Sequence, residues 1–199
     1  KYMCNKLPNI IINCGEPAGI GLDLCIFLAF QKIPANISIM ANKKALIARA
    51  QMHNKKINFN ENLNHHKGNG GIHLINVPYK SDVIPGKPNQ VNSLIQLKMI
   101  DYGVTNCINK NYDALVTLPI SKEVLSTTKI KFTGHTEYIS NLCKTSNKEV
   151  MLLANKELRV ALVTTHIAVS KVSSMITKEK LKNVIKTLHL DLQKRFKVK

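Results

Sequence analysis

No stretch of this sequence holds the roughly 20 consecutive apolar residues that a membrane-spanning helix requires. No two cysteines have C-x-x-C spacing, which excludes a zinc ribbon and a thioredoxin-like motif. The five cysteines, Cys4, Cys14, Cys25, Cys107 and Cys143, are scattered singly and odd in number. They read as reduced thiols in a cytoplasmic protein with no membrane partner. The opening segment KYMCNKLPNIIIN has too short an apolar run for a signal peptide, and no small-residue cleavage site follows it. Position 1 is Lys, so the start is expected to be processed, trimmed or incomplete.

Acidic residues are scarce. Twelve Asp and Glu stand against 29 Lys and Arg, a formal net charge of +17. Such a charge raises the reading of a basic nucleic-acid-binding module. Arginine is rare, however, and specific phosphate and base recognition favours arginine forks. Arginine clusters and aromatic stacking platforms are also missing. Lys, Asn and Ile are abundant together and share A/T-rich codons, so biased coding accounts for the charge. No nucleic-acid partner is expected. No internal repeat or low-complexity tract interrupts the 199 residues, which allow one large domain or two small ones.

What is present alternates. Short apolar runs read as strands at Asn9–Asn13, Ile37–Ala41, Ile72–Val77 and Asp113–Thr117. Between them LCIFLAFQK and KKALIARAQMH read as helices, the second with Ala45, Ile47, Ala48 and Met52 inward. Residues 60–71 and 80–89 read as polar loops. The spacing of Val91, Leu94, Ile95, Leu97, Ile100, Val104 and Ile108 predicts a helix over Gln90–Asn109, weakened by Gly103. Glu149–Ala154 and Arg159–Thr164 read as a hairpin or adjacent strands. Residues 177–197 read as a helix capped by Thr177, with Leu181, Val184, Ile185, Leu188, Leu192 and Phe196 on its apolar face. The pattern is that of an α/β protein with a mainly parallel sheet and flanking helices.

In such sheets, sites form at the carboxyl ends of strands, and four polar clusters fall there. The first, CGEPAGIG, contains Gly15, Glu16, Gly19 and Gly21. Its G-x-x-x-G-x-G spacing is neither the dinucleotide fingerprint nor the P-loop, so its cofactor-binding residues stay unknown. It reads as an anion-favouring turn into a helix or as a plain turn. The second, TLPISK, offers Ser121 and Lys122 to an anion, or Ser121 as a helix cap. The third, FTGHTEY, offers Thr133, His135 and Thr136 as donors to a phosphate or carboxylate, or forms a turn with a solvated histidine. The fourth, VTTH, ends a strand at His166, a residue type that ligates metals or moves protons, or is simply hydrogen-bonded in a loop. His53, His65, His66, His73 and His189 stand in weaker contexts. No Ser-His-Asp order and no close carboxylate pair is legible.

Together GEPAGIG, ALVT-x-P-x-SK, FTGHTE and RVALVTTH, in this order, resemble the 4-hydroxythreonine-4-phosphate dehydrogenase family of vitamin B6 biosynthesis. The resemblance implies an isocitrate/isopropylmalate dehydrogenase type of fold: two α/β domains, a cleft between them and a homodimer. On that basis residues 1–127 are expected in the first domain and 128–199 at the beginning of a second, substrate- and metal-binding domain. The resemblance implies NAD as cofactor, a divalent metal (Zn, Mg or Co) and a phosphorylated small-molecule substrate. His135 and Thr136 match the family's substrate contacts, and His166 matches a metal ligand. The reaction implied is oxidation of 4-phosphohydroxythreonine and loss of CO2 to give 3-amino-2-oxopropyl phosphate. A paralogue acting on a four-carbon sugar-acid 4-phosphate fits the same motifs. Leu22 stands where the family commonly has Pro, and Leu118 where it has Gly. The family's further metal-ligand histidines do not map onto this sequence, so the chain is expected to be the N-terminal portion of the family's length.

Overall fold

The computed structural model describes residues 6–126, 132, 134–145, 149–196 and 198; Cys4 and Thr133 lie outside them. The chain forms two compact units, Lys1–Thr133 and Gly134–Lys199.

The first unit is built on a parallel five-stranded sheet. Its strands are β1 (Asn9–Asn13), β2 (Asn36–Ala41), β3 (Asn58–Asn60), β4 (Gly71–Asn76) and β5 (Ala114–Thr117), in the order β3-β4-β2-β1-β5. The central strands are runs of Ile and other apolar residues because both faces are covered. Helices α1 (Gly21–Leu28), α2 (Lys43–Met52), α3 (Ser93–Ile108) and α4 (Lys122–Ser126) connect or follow them. Ile11, Ile39, Met40, Leu22, Ile26, Leu46, Ile72 and Met99 are almost fully buried and form one core. Each contributes about 1.5–3 kcal/mol by leaving water. Strand β3 lies at the sheet edge, just before and at the start of the expected polar loop.

Two helix faces differ from expectation. In α2 the inward residues are Leu46, Arg49 and Ala50, with Ala45 packed against the core. Ile47, Ala48 and Met52 face solvent, Met52 being 63% exposed. The cause is polar: Arg49 is turned in to an ion pair with Asp23 and a hydrogen bond to the Gly19 carbonyl. Hydrophobic periodicity does not register an inward arginine. In α3 the helix begins at Ser93 after a single 3-10 turn at Gln90–Asn92, and Val91, Leu94 and Ile108 are exposed. Gly103 does not weaken it without return: a Cβ there would stand 2.7 Å from Leu115 Cδ1, so its absence lets helix and strand approach.

The second unit holds α5 (His135–Leu142), an antiparallel pair β6 (Met151–Ala154) and β7 (Arg159–Leu162), α6 (Val172–Met175) and α7 (Lys178–Phe196). The hairpin closes on Asn155, whose side chain accepts from the N–H groups of Glu157 and Leu158 (2.8 and 2.6 Å). Thr177 caps α7 by accepting from the Lys180 N–H (3.2 Å). Val184, Leu188 and Leu192 are half-buried, while Leu181, Ile185 and Phe196 are exposed. Among the described residues of this unit only Ser140 is buried. Among the described residues no helix is long and apolar enough to cross a membrane.

Candidate functional site

Strand β1 is flanked by β2 on one side and β5 on the other. The chain first winds outward through β2 and β4, then returns across β1 to β5. The carboxyl ends of β1 and β5 therefore form the topological switch point, where open α/β sheets open a crevice. CGEPAGIG leaves β1 and TLPISK leaves β5, so two clusters separated by about a hundred residues in sequence become neighbours there.

Their joint packing explains the glycines. Gly15 has φ +73°, and a Cβ on it would lie 2.1 Å from the Pro119 carbonyl oxygen. A Cβ on Gly21 would lie 1.7 Å from the Cys14 carbonyl oxygen. A Cβ on Gly19 would lie 3.2 Å from the Glu16 carbonyl oxygen, a tight but lesser contact. The Glu16 N–H donates to the Pro119 carbonyl (2.9 Å), tying one loop to the other. The Gly15 N–H donates to Asn13 Oδ1 (2.8 Å), Ala18 N–H to Glu16 Oε1 (3.1 Å) and Gly19 N–H to the Glu16 carbonyl (2.9 Å). These amides brace the loop. Leu118 is accommodated without strain, since it is not among the positive-φ residues, and its N–H donates to the Asn13 carbonyl (3.0 Å).

Glu16 is 5% exposed and turned inward. Burial pushes its carboxyl above the ordinary carboxylate range, opposed by its bonds from Ala18 N–H and Gln96. Gln96, on α3, donates from Nε2 to Glu16 Oε2 (2.5 Å) and accepts the Ser121 N–H at Oε1 (3.1 Å). Ser121 Oγ in turn accepts from the Val124 N–H (3.3 Å), capping the start of α4, where Lys122 is exposed. Asn13 and Gln96 do not stand out in any motif. The signal for each is a polar residue in an apolar pattern: Asn13 ends a strand buried at 0% exposure, and Gln96 lies on the inward face of α3. Cys14, buried at the head of the loop, has its thiol pushed up to about 11 by burial, so it stays protonated at neutral pH.

Beside the switch point, a hollow of about 770 Å³ lies at the ends of β2 and β4, lined in part by Lys43, Lys44 and Lys80. Three of the weaker histidines of this unit are engaged structurally. His53 pairs with Asp23 (2.6 Å), His66 Nε2 meets the Leu28 carbonyl (2.8 Å) and His73 Nδ1 meets Ser38 Oγ (2.8 Å).

In the second unit, His135 and Thr136 form the first turn of α5, following Gly134 in extended backbone. Thr136 lines a cavity of about 520 Å³ with Thr165, the residue before His166. Glu137, Glu149, Glu179 and Lys180 also line it. His166 is exposed and has φ +54°. Three other non-glycine residues share that backbone region: Asn54, Lys110 and Lys144. Each of those three follows a helix end, where the next N–H closes back on the last turn, as Lys55 N–H does on the Ala50 carbonyl (2.9 Å). His166 follows a strand and has no such explanation, and unexplained left-handed residues concentrate at functional positions. Among the described residues no three His, Cys, Asp or Glu stand close enough to hold a metal ion, so the residues present do not complete a metal site.

A family model described as pyridoxal phosphate biosynthetic protein PdxA matches residues 33–199. A 4-hydroxythreonine-4-phosphate dehydrogenase of Methylococcus capsulatus is 36% identical over 195 residues, covering 95% of this chain and 58% of that protein. One of Neisseria meningitidis serogroup A is 34% identical over 200 residues, covering 98% and 60%. The solved structure of a 4-hydroxythreonine-4-phosphate dehydrogenase from Klebsiella pneumoniae superposes with a TM-score of 0.84 at 19% identity, over 96% of this chain and 60% of that one. That likeness shows the expected isocitrate dehydrogenase-like fold. The chain thus spans about three-fifths of the length of the relatives it matches. Matched over most of its residues, the chain belongs to the PdxA family.

Proposed function

We propose that the chain forms part of a dehydrogenase that oxidises 4-phosphohydroxythreonine in pyridoxal phosphate biosynthesis. The observation that carries this reading is the match to relatives so named across almost the whole chain, with the motif residues at strand ends and a helix start. NAD, when bound, would supply the hydride acceptor for the C3 alcohol carbon. The hydroxyl proton passes to solvent, and the β-keto acid so formed loses CO2 and takes up a proton from solvent to give 3-amino-2-oxopropyl phosphate.

This chain's own residues bind and orient. His135 and Thr136, at the N-terminal turn of α5, supply an imidazole and a hydroxyl to the substrate, where helix N–H groups favour an anionic group. Ser121 and Lys122 present a hydroxyl and an ammonium at the switch point. Gly15, Glu16, Gly19 and Gly21 frame the crevice rather than contact the substrate. His166 offers one imidazole toward the family's divalent metal. A cytoplasmic homodimer completes the reading.

Lys180 in the Thr136 cavity suits an acidic group of the substrate, while the carboxylates of Glu137, Glu149 and Glu179 favour an ammonium group beside it. 4-Phosphohydroxythreonine carries one, and a four-carbon sugar-acid 4-phosphate does not. The test is NADH formation from each compound by a family-length protein that contains this sequence. Turnover with the amino compound, lost in His166→Ala and His135→Ala, is expected. Turnover confined to the sugar acid, or unchanged in both variants, contradicts the assignment.

A further inference from the structure

The contact between the two switch-point loops runs through a side chain that belongs to neither. Gln96 is completely buried. Its carboxamide has a donor end and an acceptor end, and both are used: Nε2 to Glu16 Oε2 (2.5 Å), Oε1 from the Ser121 N–H (3.1 Å). With Ala18 N–H on Glu16 Oε1 (3.1 Å), the contacts form a continuous run from the glycine loop through α3 to the start of α4. The polarity of that run is fixed. A carboxylate can only accept and a peptide N–H can only donate, so the group between them must do both. Among side chains of this length an amide does so while staying uncharged at any pH, whereas a carboxyl does so only while protonated, and an unmade bond at a buried place costs the desolvation of the group left behind.

We propose that Gln96 is a positioning residue: it locks the loop after β1 to the loop after β5 and thereby sets where Ser121 and Lys122 stand. Its consequence for catalysis rests on the dehydrogenase reading above; the lock itself does not. Space-filling and locking make different predictions. Methionine fills nearly the same volume but forms neither bond. Where the pH is high enough to ionise both carboxyls, Gln96→Glu sets two carboxylates against each other. Gln96→Glu combined with Glu16→Gln reverses the polarity and restores every contact: the new amide donates to the new carboxylate and still accepts from Ala18, and that carboxylate accepts from Ser121.

The test is amide hydrogen exchange by NMR on this chain, which needs no enzymatic activity, so its failure leaves the dehydrogenase reading untouched. Exchange at Ser121 is expected to speed up about tenfold or more in Gln96→Met, with Ile11 and Ile12 unchanged. At a pH where both carboxyls of Gln96→Glu are ionised, it should speed up further in that variant and return toward the wild-type rate in the exchanged pair. Unchanged Ser121 exchange in Gln96→Met overturns the proposal. So does an exchanged pair no better protected than Gln96→Glu alone. Should Gln96→Met not fold, the exchanged pair decides by itself.

Discussion

The two units hold their candidate site residues in opposite ways. In Lys1–Thr133 the switch-point loops are pinned by glycines without room for a Cβ, by inter-loop hydrogen bonds and by a buried amide, above a core of completely buried Ile and Leu side chains. In Gly134–Lys199, His135, Thr136 and His166 sit on a two-stranded pair and helices with a single buried described residue, Ser140. The lesson is about cost. A site frame built into a parallel sheet draws its precision from the global fold, whereas residues on a thin framework are held by local geometry alone.

The largest effect expected from this contrast is in the core. Ile39, 1% exposed, should cost about 2–5 kcal/mol when cut to Ala, while Leu188→Ala on half-buried α7 should cost less than half as much. Urea unfolding of both variants gives the comparison, and equal losses would erase it. Next come the loops. Gly21→Ala forces a Cβ onto the Cys14 carbonyl and should cost about 1–3 kcal/mol; the same change at Gly86, which has open space around it but φ +77°, should show only the smaller strain of its backbone. A Gly86→Ala loss as large as that of Gly21→Ala would argue against close packing as the reason for the loop glycines.

A smaller effect tests the second unit. His166→Gly should be more stable than His166→Ala by about 1 kcal/mol, because glycine carries no left-handed penalty. Equal stability of the two would mean that the backbone there relaxes freely. The smallest effect is at Glu16. Its carboxyl is raised in the folded state, so the folded chain holds a proton that the unfolded chain has released. The ionised group therefore costs stability above its folded value, and that cost is relieved as pH falls toward its ordinary value of 4.5. Relative to Glu16→Gln, the wild type should gain in urea midpoint between neutral pH and about pH 4.5. A gap that is constant with pH would show that burial does not perturb the carboxyl.

Much of this was legible in the sequence, and the parts that were not share a cause. Apolar runs in NIIIN and ISIMA mark central strands, and the cap at Thr177 and the α/β alternation follow from local chemistry. CGEPAGIG and TLPISK follow β1 and β5, as their apolar runs suggest. What periodicity misses are polar groups that face inward. Arg49 turns α2 about its axis, Asn13 closes the Gly15 turn, and Gln96 joins loops about eighty and twenty-five residues away in sequence. Their partners are distant in the chain, so no local pattern signals them. The backbone of His166 is equally silent, because a histidine in the left-handed region is spelled like any other.

Native-state hydrogen exchange tests the contrast most directly. Amides of Ile11, Ile12 and Ile39, together with the braced Glu16 and Ser121, should exchange on the order of a hundredfold more slowly than those of β6, β7 and α7. Uniform protection across both units, or Glu16 and Ser121 exchanging as fast as the β6–β7 hairpin, would contradict the account.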